Sequence, residues 1–204
     1  IENGGSFLYP NEVDGTGETG SNFDVTFGYT GAYAAAAHGL VSATITSSSV
    51  VSLDQQVHQF DLSGAALFIV ALPSVANQVN LDLYIVDPLN QPVAASLNEQ
   101  GTDEMIELVS PVDGMWSVYV YRSDIDGTGT SADYAMYSWI VPVTPGGNMT
   151  VVSAPDSAQL GETDTISLAW PVNDGEWSIG AVSHTNWETG LIGLTVVSVE
   201  SRGD

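Results

Sequence analysis

Phe23-Asp24-Val25-Thr26-Phe27-Gly28-Tyr29 places a large apolar side chain at every second residue, with small or polar residues between. A strand turns alternate side chains to opposite faces, so this spacing specifies a strand with one buried face. The same period recurs in Val79-Asn80-Leu81-Asp82-Leu83, Trp116-Ser117-Val118-Tyr119-Val120, Ile166-Ser167-Leu168-Ala169-Trp170 and Trp177-Ser178-Ile179-Gly180-Ala181, and again from Leu194 to Val199. Ala65-Ala66-Leu67-Phe68-Ile69-Val70 is apolar throughout, as a strand covered on both faces would be. Turn formers separate the runs: Asp87-Pro88-Leu89-Asn90, Pro111-Val112-Asp113-Gly114, Asp126-Gly127 and Asn173-Asp174-Gly175. The one helical signal, Ala32 to Ala37, is bracketed by Gly31 and Gly39 and has room for two turns. The expectation is an all-β chain built around an antiparallel, jelly-roll-like β-sandwich.

Two polar stretches suggest boundaries, Thr46-Ser47-Ser48-Ser49 and Val143-Thr144-Pro145-Gly146-Gly147. They predict an extended arm with an unpartnered β segment over 1–47, the sandwich over 48–144 and a small β module over 145–204. The start, Ile1-Glu2-Asn3-Gly4-Gly5, has neither an initiator Met nor a signal-peptide pattern, so a mature product or an excised piece is expected.

Composition removes several classes of function. The 204 residues hold 2 Lys+Arg against 25 Asp+Glu, a formal charge of −23; the two cations are Arg122 and Arg202, and lysine is absent. Nucleic-acid binding needs clustered cations to displace phosphate counterions, and docking on anionic lipid needs them too. No nucleic-acid partner and no membrane insertion are expected. Hydrophobic residues make up 44%, which separates the chain from disordered acidic tails. Cysteine is absent, so disulfides, zinc-thiolate sites and a Cys nucleophile are excluded.

Reactive constellations are scarce. The three histidines, His38, His58 and His184, show neither a metal-binding spacing nor a Ser in a Gly-x-Ser-x-Gly elbow. His58 alternates with Phe60 and Leu62 and is expected to face inward. Glu104 and Glu107 have opposite strand parity and cannot form a facing carboxylate pair. No catalytic residues are therefore assigned. The hairpin Ser123-Asp124-Ile125-Asp126-Gly127-Thr128-Gly129-Thr130, followed by Asp133, offers oxygen ligands on a turning backbone, as calcium prefers. Asp124, Asp126 and Asp133 are its candidate ligands; a solvated acidic hairpin is the alternative. Trp116, Trp139 and Trp170 share their strand faces with aliphatic residues and are expected in the core. Trp187, within His184-Thr185-Asn186-Trp187-Glu188, is the candidate exposed aromatic and the sole support for a sugar-binding reading. Asn148-Met149-Thr150 is an N-glycosylation sequon.

The ordered set Phe23 to Val41, Leu81-Asp82-Leu83-Tyr84-Ile85-Val86-Asp87-Pro88, Pro111 to Val120, Ser131 to Trp139, Asn148-Met149-Thr150-Val151, Gly180 to His184 and Leu194 to Val199 resembles the C-terminal, non-catalytic region of secreted bacterial subtilisin-like serine proteases. Single pieces are similar to pre-peptidase C-terminal domains. The resemblance implies a secreted, extracellular or cell-surface accessory region with no catalytic centre, which stabilises, tethers or presents an upstream protease domain. It implies no required cofactor, and calcium at the Asp124 hairpin as an option. The alternative is a self-assembling fibre or surface-layer subunit, whose partners are neighbouring copies joined by strand donation from the N-terminal segment. Absence of lysine suits a chain exposed to proteases that cut at basic residues.

Overall fold

The computed structural model describes residues 12–13, 18–74, 79–124, 131–171 and 176–200. Among them every regular element is a strand. In chain order these are β1 (Glu12–Val13), β2 (Glu18–Thr26), β3 (Gly31–Ala32), β4 (Ala34–Ser42), β5 (Thr44–Val51), β6 (Gln55–Asp61), β7 (Ala65–Leu72), β8 (Leu81–Val86) and β9 (Pro92–Ser96). They continue with β10 (Glu104–Val109), β11 (Met115–Arg122), β12 (Ser131–Pro142), β13 (Thr150–Ser153), β14 (Ser157–Ala158), β15 (Thr163–Pro171), β16 (Trp177–Asn186) and β17 (Gly190–Glu200). No helix among the described residues is long and apolar enough to cross a membrane. The chain is all-β, as its period-two pattern requires.

It divides into two units, one spanning 44–140 and the other made of 1–43 together with 141–204. In the first, sheets β10-β7-β12-β5 and β6-β11-β8-β9 form an antiparallel β-sandwich. Phe68, Val70 and Leu72 from β7 meet Leu83 and Ile85 from β8, Val118 and Val120 from β11, and Met136 from β12 in one core. The β7 strand is buried along its whole length, which matches its unbroken apolar run. At roughly 25 cal/mol per Å² of apolar surface, such positions dominate the unit's stability.

The second unit corrects the expected partition. Phe23 and its neighbours are not an unpartnered segment, because β2 pairs antiparallel with β15 from Glu18↔Pro171 to Thr26↔Thr163. Likewise β4 pairs with β16. The sheets β1-β2-β15-β13 and β17-β16-β4, with the short pair β14-β3, enclose Val25, Phe27, Tyr33, Ile166, Leu168, Trp170, Val182 and Val197. The 163–171 run, with matching alternation, fills one edge of residues 18–26 as a strand neighbour, and Tyr33, Val182 and Val197 in the same cluster pack with their apolar face. Local composition cannot show this, since Thr26 and Thr163, whose hydroxyls meet at 2.8 Å, lie 137 residues apart.

Two local expectations also change. The Ala-rich run from Ala32 falls largely within β4, because pairing with β16 outweighs alanine's helical preference. The stretch read as a second linker is stitched to β4: Gly39 N–H donates to Gly146 O at 2.9 Å, Gly146 N–H to Ala37 O at 2.9 Å, and Met149 N–H to Gly39 O at 3.0 Å.

Candidate functional site

Three groups of side chains hold polar chemistry worth weighing. The first lies on the β4–β16 pair. Ala181 stands opposite His38 and Ser183 opposite Ala36, so His38 and Ser183 are diagonal neighbours on one face. His38 Nε2 is 2.9 Å from Ser183 Oγ, and His38 Nδ1 is 3.1 Å from Pro142 O. Nδ1–H donates to that carbonyl, which leaves Nε2 to accept the Ser183 hydroxyl. The arrangement has the base–nucleophile contact of a hydrolase with a backbone carbonyl where the carboxylate would stand. His38 is only 2% exposed and Ser183 7%, so a substrate has no approach to the hydroxyl. Sequence reasoning missed this pair because its members are 145 residues apart.

The second group surrounds His184. Its Nδ1 lies 2.5 Å from Tyr33 Oη and its Nε2 2.8 Å from Thr195 Oγ1. The ring stacks on Tyr33 and meets Phe23 edge-on. Burial among these groups pushes the imidazole pKa down to about 4. Burial raises the Tyr33 phenol well above its ordinary range. Both groups are thus held neutral, which suits a packed hydrogen-bond chain. His58 faces inward as its spacing suggested, and its Nε2 is 2.8 Å from Tyr134 Oη across the sandwich interior.

The third group contains the predicted calcium hairpin. Asp124 receives Arg122 Nε–H at 2.9 Å and Arg122 Nη2–H at 2.8 Å, and its Oδ1 also accepts Asn80 N–H at 3.0 Å. The hydrogen bond from the buried Arg122 guanidinium holds the Asp124 carboxyl below the usual carboxylate range. Nearby, Asn80 Nδ2–H donates to Asp82 Oδ1 at 3.2 Å and to Ser123 Oγ at 2.6 Å. Asp133 stands on β12 opposite Ser49 and is exposed; Asp126 lies outside the described residues. Both Asp124 oxygens therefore serve an ion pair. Among the described residues no three His, Asp or Glu side chains are grouped to hold a metal ion. Glu104 is buried as well, with Asn98 N–H donating to Oε1 at 2.8 Å and Ser96 Oγ–H donating to Oε2. These contacts fasten the connection between β9 and β10.

An open groove of about 770 Å³ runs over β5 and β12, lined by Ser47, Ser49, Ser74, Asp133 and Tyr137. Trp116, Trp139 and Trp170 are buried as their registers required, and Trp187 is 79% exposed at the tip of the β16–β17 hairpin.

No family model and no curated protein matches the chain. Among solved structures, a periplasmic inhibitor of g-type lysozyme from Aeromonas hydrophila, PliG, is 11% identical. It covers 48% of this chain and 86% of its own, with a TM-score of 0.36. The SPBc2 prophage-derived protein YomS is 14% identical over 60% of this chain and 94% of its own, with a TM-score of 0.28. The M60 catalytic domain with CBM51 domains of Clostridium perfringens ZmpB is 6% identical over 72% of this chain and 18% of its own, with a TM-score of 0.31. Likenesses at this level carry no functional argument.

Proposed function

We propose that this chain is a non-catalytic β-sandwich region that acts through its surface, as the accessory part of a secreted subtilisin-like serine protease that it stabilises, tethers or presents. The observation that supports this most is the fate of the histidines. His38, His58 and His184 each bond to hydroxyl or carbonyl groups that belong to the fold, and the Ser183–His38 contact is shut away from solvent. A general base needs a titrating nitrogen open to a reactant. Repurified chain should leave casein uncut. Hydrolysis that survives repurification and disappears in Ser183→Ala would overturn the reading. The protease link has its own test, the coding sequence upstream of Ile1, which should specify a subtilisin-like catalytic domain.

A second reading, a fibre or surface-layer subunit, draws on a specific feature of β2. One side of β2 is paired with β15 along its length, whereas β1 covers its other side at Thr19 and Gly20 only. Among the described residues the outer edge of 21–26 thus faces no strand, and open edges recruit strands. Light scattering and electron microscopy separate the two readings. Monomers favour the accessory region, and long assemblies that vanish when residues 1–11 are deleted favour the fibre.

A further inference from the structure

Charged residues make up 13% of the chain, about half the usual quarter. The 25 acids are near their ordinary share, so the shortfall falls on the bases, with 2 Lys+Arg in 204 residues. A surface made acidic for solubility gains carboxylates and keeps cations interspersed among them. This chain shows the other pattern, in which the basic side chains have been removed. Their absence matters most where proteases nick first, in exposed loops. The exposed stretches 97–103, 143–148, 159–163 and 187–191 hold no arginine or lysine.

Arg122 is the basic residue among the described ones, and the peptide bond that follows it is held from both sides. The carbonyl of the Arg122–Ser123 peptide accepts Leu53 N–H at 2.9 Å, and its N–H, on Ser123, donates to Asn80 O at 3.0 Å. Arg122 N–H donates to Asp54 O at 3.0 Å. The guanidinium is no freer: the residue is 3% exposed, and its Nε–H and Nη2–H both donate to the Asp124 carboxylate. A serine protease that cuts after basic residues must draw the cation into its own acidic pocket and bring the scissile carbonyl to its oxyanion donors. Each of those moves breaks a contact that the fold makes. The strand that leads to the bond, β11, also lies between β6 and β8. Cutting therefore waits for this corner to unfold, and the open population of a stable domain is about one in a thousand or less.

We infer that the chain is built to stay whole beside a protease that cuts after arginine or lysine, with Arg122–Ser123 as the latent cleavage bond among the described residues. Hydrolysis there adds water across the amide, leaving a carboxylate on Arg122 and an amine on Ser123. This goes beyond both functional readings, which casein cleavage and assembly test separately. Folded chain is digested with trypsin, and the products are identified by mass spectrometry. No cut within residues 1–200 is expected in native buffer. Leu160→Arg and Gln100→Arg place arginine in exposed loops. Each should be cut after the new arginine at least about a hundredfold faster than the parent is cut after Arg122. In urea above the unfolding midpoint, a short trypsin pulse should break the parent after Arg122. Melting curves check that the variants are folded, and either one suffices if the other is not. Rapid cutting after Arg122 in the folded parent overturns the proposal. So does survival of the inserted arginines, which would assign the resistance to stiff loops instead of missing bases.

Discussion

His184 uses both ring nitrogens on hydroxyl groups inside a buried, largely apolar core. An unfolded imidazole titrates near 6.5, whereas this one is held down to about 4. Between those values the unfolded chain is protonated and the folded chain is not. The stability His184 contributes is therefore complete above about pH 6.5 and declines as pH falls toward 4, by about 3 kcal/mol in all. Urea melts across this window should show the decline, and His184→Gln should show a shallower one. Asp124 acts in the opposite sense of charge but loses stability in the same direction. Its folded pKa is depressed, so its contribution is present above the unfolded value near 3.9 and disappears as acid protonates it. Asp124→Ala leaves the Arg122 guanidinium buried without this partner. A loss of about 3 kcal/mol in urea denaturation at neutral pH is expected.

Strands were legible in the sequence because period two is a local signal that each run carries in full. Partners were not. The alternation in 23–29 states that one face must be covered and is silent on which of the other runs pairs beside it and which packs over it. That choice depends on register and on contacts across most of the chain, as between β2 and β15. The same blindness made 143–147 look like a linker. Glycine there answers to close packing: Gly147 has φ of 101°, and a Cβ on it would lie 2.7 Å from the Gly39 carbonyl oxygen. Gly161 also has positive φ, at 82°, but nothing lies within 4 Å of its Cβ direction. Gly161→Ala should cost about 1 kcal/mol, the left-handed penalty alone. Gly147→Ala should cost about 2 to 4 kcal/mol, since the β4 stitch must also shift. Urea midpoints of the two variants, compared with the parent, check the difference.

Across the molecule, 25 acidic residues against two basic ones create a field that opposes compaction. Raising NaCl from about 10 mM to about 300 mM shortens the Debye length several-fold and should raise the melting temperature. Scanning calorimetry at both salt levels tests this; a melting temperature that falls would mean that attraction dominates. The candidate sites were less legible than the fold. Tryptophans attract attention in a sequence, and Trp116, Trp139 and Trp170 proved to be core, while Trp177 at the start of β16 is half-buried. Arginine and lysine counts were legible, yet only the structure places Arg122 inside an ion pair. One practical result follows for anyone handling the molecule. Aldehyde fixatives and succinimidyl dyes grip lysine amines, and a chain without a single ε-amino group offers them almost no hold. Carbodiimide activation of its many carboxylates is the coupling route that will work on a sensor chip or an imaging grid.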